Sequence, residues 1–258
     1  MIDRHKEILK LLKLQGSVSV SELAQRLDVS EVTIRKDLTI LEEENKLYRS
    51  HGRAIPISPY VGNQHIFDKE AMFPQEKIAI AKVAASLVEP HDSLLIASGT
   101  TILYTARELV SARDLTVITA SVSVSSILSQ NKYIDVVQLG GIVRGSSVSV
   151  VGSFAENMLN NFNCSKLLMG ADGVDIDFGV TTTNVQEANL NMMMMAAAKK
   201  CYLLVDSSKF GKRGFSKICS LENIDTVITD DRIPQLYLDH LRSLGVEVLI
   251  APAAARSE

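Results

Sequence analysis

The sequence predicts an α/β protein of two parts: a small helical N-terminal domain and a larger C-terminal domain with a mostly parallel sheet. Short apolar runs of strand length alternate with helix-length segments in the larger part, at 93–97, 115–119, 135–139, 166–171, 201–206, 226–230 and 246–250. Before them, apolar residues recur at helical spacing without such runs. We therefore place the first domain at 1–56, a linker at 57–74 and the second domain at 75–252.

Composition describes a globular chain that can bury a sizeable core. Of the 258 residues, 46% are hydrophobic and 22% are charged. The net charge is −3; the first 60 residues hold ten Lys/Arg and nine Asp/Glu, a balance of +1, so the remainder carries −4. A nucleic-acid contact would therefore depend on where cations lie rather than on their number.

The cysteines point away from disulfide and zinc chemistry. Cys164, Cys201 and Cys219 are odd in number and widely spaced, as in proteins of a reducing cytosol. The chain begins without a signal-peptide pattern and has no apolar run of membrane-spanning length. We expect a cytoplasmic protein that needs neither metal nor cofactor.

Three short helices are predicted in the N-terminal part. Asp3 to Gln15 is amphipathic, and a stripe of apolar residues around Leu23 predicts a further helix. After a tight link at 28–30, the segment that follows Ser30 predicts a helix with Ile34, Leu38 and Leu41 on one face. Its opposite face bears Val32, Thr33 and Lys36, with Arg35 at the flank. A recognition helix in a DNA major groove needs such groups near its N-terminus.

The residues that follow predict a cationic hairpin, or wing. Leu47 to Arg53 looks like a strand and turn that bears Arg49, His51 and Arg53. Such a wing can lie along a phosphate backbone. The candidate DNA contacts are Ser30, Val32, Thr33, Arg35, Lys36, Arg49, His51 and Arg53. The alternative is a small helical bundle whose charges only keep it soluble.

In the larger domain, four polar turns follow predicted strands. Ser98, Gly99, Thr100 and Thr101 open a helix, an arrangement suited to phosphate. The other three turns bring Gly141 with Arg144, then Asp172, then Lys209. Each turn alone is better explained as a glycine-bearing turn with a solvated charge. Because the ends of parallel strands share one edge of a sheet, the four together predict a ligand site.

The segment VSVSELAQRLDVSEVTIRKDLTILEEENKLYRSHGRA, residues 18–54, resembles the DNA-binding segment of the DeoR family of bacterial transcription regulators. The second half resembles the same family at SGTT (98–101), VIT (117–119), LGG (139–141), GADG (170–173), QEAN (186–189) and DSSKF (206–210). The resemblance implies a winged helix-turn-helix and an effector domain similar in fold to ribose-5-phosphate isomerase and CoA transferases. It also implies a phosphorylated sugar or related metabolite as effector, and it adds Glu187 to the candidate effector residues.

The chain departs from the family pattern at several positions. Lys36 stands where the family has arginine, which keeps the charge without bidentate geometry. Near the expected pocket, Ala97, Ala120 and Asn191 replace an aspartate, an asparagine and a lysine. If these side chains line the pocket, three polar groups are missing from it.

These observations favour a regulator that is not an enzyme. We expect a sequence-specific DNA-binding repressor of a sugar-metabolism operon, controlled by a phosphorylated sugar and acting as a homodimer or higher even homo-oligomer. One alternative is an isomerase-like or CoA-transferase-like enzyme that uses Asp172, Glu187 and Lys209. The other is a constitutive DNA-binding regulator with a degenerate pocket.

Overall fold

The structure is a computed structural model of the 258-residue chain. It describes residues 3–15, 18–43, 46–50, 53–56, 61–62 and 65–252, without the side chains at 13–14, 48–50 and 55–56.

The described part of the N-terminal domain holds three helices and three short strands. The helices are α1 (Asp3–Gln15), α2 (Val20–Arg26) and α3 (Glu31–Glu43), and the strands are β1 (Val18–Ser19), β2 (Leu47–Ser50) and β3 (Arg53–Pro56). Strands β2 and β3 form an antiparallel hairpin, and β1 pairs with the other edge of β3. This arrangement confirms the predicted winged helix-turn-helix.

Serine side chains cap the starts of α2 and α3. Ser19 Oγ accepts from the amide of Glu22 at 3.1 Å, which fixes the start of α2. Ser30 Oγ accepts from the amide of Thr33 at 3.2 Å and does the same for α3. The side chains that close the core come from all three helices and from the strands: Ile8, Leu12, Val18, Val20, Leu23, Ile34, Leu38, Leu41, Leu47 and Ala54.

The larger domain alternates strands and helices. Its elements in chain order are α4 (Ile66–Glu70), α5 (Pro74–Ser86), β4 (Ser93–Ile96), α6 (Thr100–Glu108), β5 (Leu115–Thr119), α7 (Val122–Leu128), β6 (Ile134–Gln138), β7 (Ile142–Arg144), β8 (Ser149–Val151), α8 (Ser153–Leu159), β9 (Cys164–Met169), β10 (Gly173–Asp175), β11 (Gly179–Thr182), α9 (Val185–Ala196), β12 (Ala198–Leu204), β13 (Ser216–Cys219), β14 (Thr226–Asp230), α10 (Gln235–Ser243) and β15 (Glu247–Ala251).

A seven-stranded parallel sheet forms the centre of this domain, in the order β15-β14-β12-β9-β4-β5-β6. All seven predicted strands are present, which confirms the parallel α/β class. Helices α5, α6 and α7 contribute to the apolar cluster on one face, and α8, α9 and α10 to the cluster on the other. Both faces of the sheet are thus covered, as parallel strands with continuous apolar runs require.

Five short strands of the larger domain were not predicted. Strands β7 and β8 form a hairpin, and β10, β11 and β13 form a small antiparallel sheet. They have three or four residues each and include glycine and polar residues, so they lack the apolar runs of the central strands. Two of them border the candidate site, because Arg144 at the end of β7 and Thr182 at the end of β11 line it.

Two further findings concern the whole described chain. The three cysteines are free, and burial raises the pKa of the Cys219 thiol to about 12. None of the described helices combines the length and apolar character needed to cross a membrane.

Candidate functional sites

A cavity lies at the carboxyl ends of β4 and β9. From β4 the chain proceeds outward to β5 and β6, whereas β9, β12, β14 and β15 lie on the other side. The strand order therefore reverses between β4 and β9, and ligands in open parallel sheets bind at such a reversal. The cavity encloses about 690 Å³ of empty space, part of it open to solvent.

Eight of the nine predicted effector residues line this cavity: Ser98, Gly99, Thr100, Thr101, Arg144, Asp172, Glu187 and Lys209. They come from five different parts of the chain. Gly99 has a φ of 129°, a conformation that favours glycine, and its carbonyl accepts the first bond of α6 from Leu103 at 2.9 Å. The amides of the first helical turn have no acceptor within the helix, and Thr100 and Thr101 of that turn line the cavity.

Lys69 also lines the cavity, and sequence reasoning missed it. Its ammonium donates to Asp172 Oδ1 at 2.6 Å. On the other oxygen, Asp172 Oδ2 accepts from Thr182 Oγ1, Thr183 N and Thr183 Oγ1 at 3.0, 3.1 and 3.2 Å. Burial acts to raise the pKa of Asp172, but the cations Lys69 and Lys209 outweigh it and hold that pKa below its ordinary value. Asp172 is therefore an ionised acceptor.

A second ion pair crosses the cavity. Arg144 Nη1 donates to Glu187 Oε1 at 2.8 Å, and the Glu187 amide donates to Asn184 Oδ1 at 3.1 Å at the start of α9. Lys209 differs from Lys69 and Arg144, because within the described part of the chain its ammonium has neither a hydrogen bond nor an ion pair. A ligand anion would meet Lys209 without first breaking an ion pair.

Gly141 is the predicted effector residue that does not line the cavity. It follows β6, the edge strand two positions away from β4, and lines a separate groove with Val143 and Val150. Its φ is 145°, and a Cβ atom there would lie 2.8 Å from Val150 Cγ1. This glycine lets β6 turn closely against β8, so we withdraw it as an effector contact.

Ala97 and Ala120, where the family has polar residues, also do not line the cavity. Ala97 and Ala120 are 1% and 3% exposed and belong to the apolar cluster beneath the sheet end. Of the three departures from the family pattern, Asn191 lines the cavity and these two alanines do not. The expectation that all three remove polar groups from the pocket wall is therefore wrong for Ala97 and Ala120.

Helix α3 presents the predicted outer face. Val32 is 64% exposed, and Arg35 and Lys36 are exposed beside it. Thr33 is half-buried, and its hydroxyl lies 2.9 Å from Ser30 Oγ, so these two residues also form the cap of the helix. Arg35 Nη2 lies 2.9 Å from Glu31 Oε2 one turn earlier, an exposed ion pair that a phosphate group can displace.

Asp37 fixes α3 to α1. Its Oδ1 accepts from Arg4 Nη2 at 2.9 Å and lies 3.2 Å from His5 Nε2. The hydrogen bond from Arg4 is the main reason that the pKa of Asp37 lies below its ordinary value. Arg4 and His5 thus hold the recognition helix in place.

The wing residues are only partly described. His51 and the side chain of Arg49 lie outside the described residues. Arg53 lines a cleft between the two domains together with Glu22, Ser207 and Arg232. Burial lowers the pKa of Arg53, and the nearby Glu22 opposes this. In this arrangement Arg53 faces the interdomain cleft rather than the outer face with Val32 and Lys36, which corrects its prediction as a DNA contact.

Comparison with known families identifies both parts of the chain. Residues 4–59 match the DeoR-like helix-turn-helix domain, and residues 72–231 match the DeoR C terminal sensor domain. The chain belongs to the DeoR family. It is therefore a DNA-binding transcription regulator with an N-terminal helix-turn-helix and a C-terminal sensor domain.

Relatives match over nearly the whole length of this DeoR-family chain. A putative aga operon transcriptional repressor of Escherichia coli O157:H7 is 35% identical over 251 residues, 96% of this chain and 93% of the relative. A lactose phosphotransferase system repressor of Staphylococcus epidermidis is 35% identical over 232 residues, 89% of this chain and 92% of the relative.

Among solved structures, ribose 5-phosphate isomerase A of Methanocaldococcus jannaschii aligns with 52% of the DeoR-family chain and 53% of its own, at 19% identity and a TM-score of 0.39. A likeness this partial says nothing about the activity of the chain.

Proposed function

We propose that this DeoR-family protein represses a sugar-metabolism operon and is released from its operator by a phosphorylated sugar. The relatives named above are repressors of the aga operon and of a lactose phosphotransferase system. A regulator acts where its DNA lies, which for this protein would be the cytoplasm.

One observation carries the proposal for the effector. The cavity combines the N-terminus of α6, the Lys209 ammonium, which has no ion-pair partner among the described residues, and an ionised carboxylate at Asp172. A helix N-terminus with a cation suits a phosphate group, and a carboxylate accepts from sugar hydroxyls. We assign Ser98, Gly99, Thr100, Thr101 and Lys209 to the phosphate, and Arg144, Asp172 and Glu187 to the rest of the ligand.

The DNA contacts in this proposal lie on α3 and in the wing. Val32 and Thr33 offer methyl groups to base edges, while Arg35 and Lys36 offer cations to phosphates or bases. We retain Ser30 as the cap that orients these side chains, and Arg49 and His51 as candidate wing contacts. We also propose domain limits of 1–56 and 75–252, joined by 57–74, and an even-numbered homo-oligomer that places two such helices on a two-fold operator.

Release would follow from linkage between the two sites. A ligand that binds one arrangement of the domains better than the other shifts the population toward that arrangement. If the preferred arrangement fits the operator poorly, the protein leaves the DNA.

The enzyme alternative lacks support in the cavity. General acid–base catalysis needs a group that exchanges protons near neutral pH. Asp172 is held ionised by Lys69 and two threonines, and Glu187 is paired with Arg144. The constitutive alternative has less support, because Ala97 and Ala120 belong to the buried apolar cluster and are not among the residues that line the cavity.

A thermal-shift screen against phosphorylated sugars and their unphosphorylated counterparts tests the effector proposal. A ligand at 100 times its Kd stabilises the folded protein by about 2.7 kcal/mol. We expect stabilisation by a phosphorylated sugar alone, and its loss in Lys209→Ala. Equal stabilisation by the unphosphorylated sugar, or none across the panel, would contradict the proposal.

A further inference from the structure

Helix α4 belongs to the segment that joins the two domains, yet it forms one wall of the effector cavity. Ile66 is 6% exposed, and its amide donates to the Ser146 carbonyl at 2.8 Å. Glu70 at the end of the helix accepts from Arg107 on α6 at 2.7 Å. Lys69 between them reaches Asp172. The joining segment is thus fastened to the sensor domain at the cavity itself.

Asp172 has room for a ligand at Oδ1, the oxygen that Lys69 contacts. Its Oδ2 already receives three donors from Thr182 and Thr183, while Oδ1 receives Lys69. The carboxylate side chain is 12% exposed, so a ligand hydroxyl that reaches it must approach at the oxygen that Lys69 holds. A ligand phosphate in the same cavity would compete with Asp172 for the Lys69 ammonium, since both groups are anionic.

The chain connects helix α4 to the wing through residues 57–65. Strand β3 ends at Pro56 and α4 begins at Ile66, so few residues separate them. A five-residue helix is too short to be stable alone, and its position depends on the contacts that it makes. Val61, nearer the wing, is also joined to the sensor domain, because its amide donates to the Arg213 carbonyl at 2.7 Å. Helix α4 and Val61 together therefore anchor the joining segment.

We propose that the Lys69–Asp172 pair is a latch that holds α4 against the cavity while the cavity is empty, and that effector binding opens it. The latch keeps the DNA-binding domain in the arrangement that fits the operator. Its release lets α4 and strand β3 move, which lowers the affinity for DNA. This proposal rests on the proposed function, in that the effector occupies this cavity and relieves repression.

The latch can be opened without any ligand. The double variant Lys69→Met/Asp172→Asn removes both charges of the pair, so that neither partner is left charged without the other. In the full-length protein we expect amide hydrogen exchange across 66–73 to accelerate about tenfold, while the strands of the central sheet keep their protection. We expect affinity for an operator duplex, recovered by selection from a random-sequence pool, to fall about fivefold or more.

Two further variants make the result specific. Lys82→Met removes an exposed lysine from neighbouring α5 and is the matched control, expected to change neither measurement. Lys69→Arg keeps a cation that reaches Asp172 and is expected to restore both protection and affinity relative to the double variant. Unchanged exchange across α4, or faster exchange with unchanged or tighter DNA binding, would overturn the latch. Neither result depends on a ligand, so each is distinct from a failure to find a phosphorylated sugar that relieves repression.

Discussion

The Lys77 ammonium donates to the backbone carbonyl of Met72 at 2.5 Å and also to the carbonyl of Lys69, which ties the start of α5 to the end of α4. Lys77 is only 2% exposed. Burial lowers its pKa from 10.5 to about 8, and the nearby Asp206 only partly opposes this. The connection between the joining segment and the sensor domain therefore contains a group that titrates at mildly alkaline pH.

The shifted pKa of Lys77 predicts a rise in relative stability with pH. Between about pH 8 and pH 10.5 the unfolded state keeps the Lys77 proton and the folded state has lost it, so the free energy of unfolding increases with pH. We expect the difference in unfolding free energy between wild type and Lys77→Met to be flat from pH 6 to about 8. Above that it should grow by about 1–3 kcal/mol in urea titrations. Exposed Lys82→Met is the control, and a flat difference up to pH 10 would refute the prediction.

The Arg4–Asp37 contact predicts acid sensitivity in the DNA-binding domain. Because the folded pKa of Asp37 lies below 3.8, its stabilisation is complete above about pH 4 and is lost as pH falls through the folded pKa. Asp37→Asn should accelerate amide exchange in α1 and α3 at pH 7, through a loss of about 1–2 kcal/mol. The ratio of variant to wild-type rates should shrink below pH 4. Asp3→Asn, at a fully exposed position, should leave the rates unchanged at both pH values.

Variants of Lys36 and Arg53 distinguish the two surfaces that could contact the DNA backbone, the outer face of α3 and the wing. If Lys36 contacts a phosphate, Lys36→Ala should weaken operator binding and make the slope of log K against log salt shallower by about 0.9. Arg53→Ala should leave that slope unchanged, because Arg53 faces the interdomain cleft beside Glu22. Titrations at four salt concentrations measure both slopes, with Lys82→Ala as control. A reversed pattern would place the wing rather than α3 on the DNA backbone.

The Arg144–Glu187 pair predicts a loss of folding stability when one partner is neutralised. Glu187→Gln keeps the shape and the contact with Thr182 but removes the charge that Arg144 faces. Since these two side chains are 17% and 11% exposed, we expect the free energy of unfolding to fall by about 1–3 kcal/mol. Urea titration measures this against Glu89→Gln on the surface. Equal stability of the two variants would mean that solvent screens the pair.

The central strands were predictable because their burial on both faces demands continuous apolar runs, such as 93–97 and 226–230. The order of those strands was not, because it is decided by packing between distant parts of the chain. For this reason the sequence-based prediction placed Gly141 in one site with Ser98 and Asp172. All three follow strands, but β6 lies at the edge and the cavity forms where β4 meets β9.

Lys69 illustrates a second limit of the sequence. It lies in a segment with prolines on either side, and a five-residue helix has too few turns to show a period. Its role depends on the tertiary contact with Asp172, more than a hundred residues later along the chain. No local pattern predicts such a contact, whereas Thr100 and Lys209 stand in motifs that the family resemblance covers.

The most direct test of the account is the affinity of the full-length protein for its selected operator duplex, with and without each phosphorylated sugar. We predict that one phosphorylated sugar lowers this affinity about tenfold or more, and that its unphosphorylated counterpart has no effect. Thr100→Ala and Lys209→Ala should reduce the ratio of the two affinities toward one. If no sugar changes the affinity, or if both variants respond as wild type does, the cavity between β4 and β9 is not the effector site.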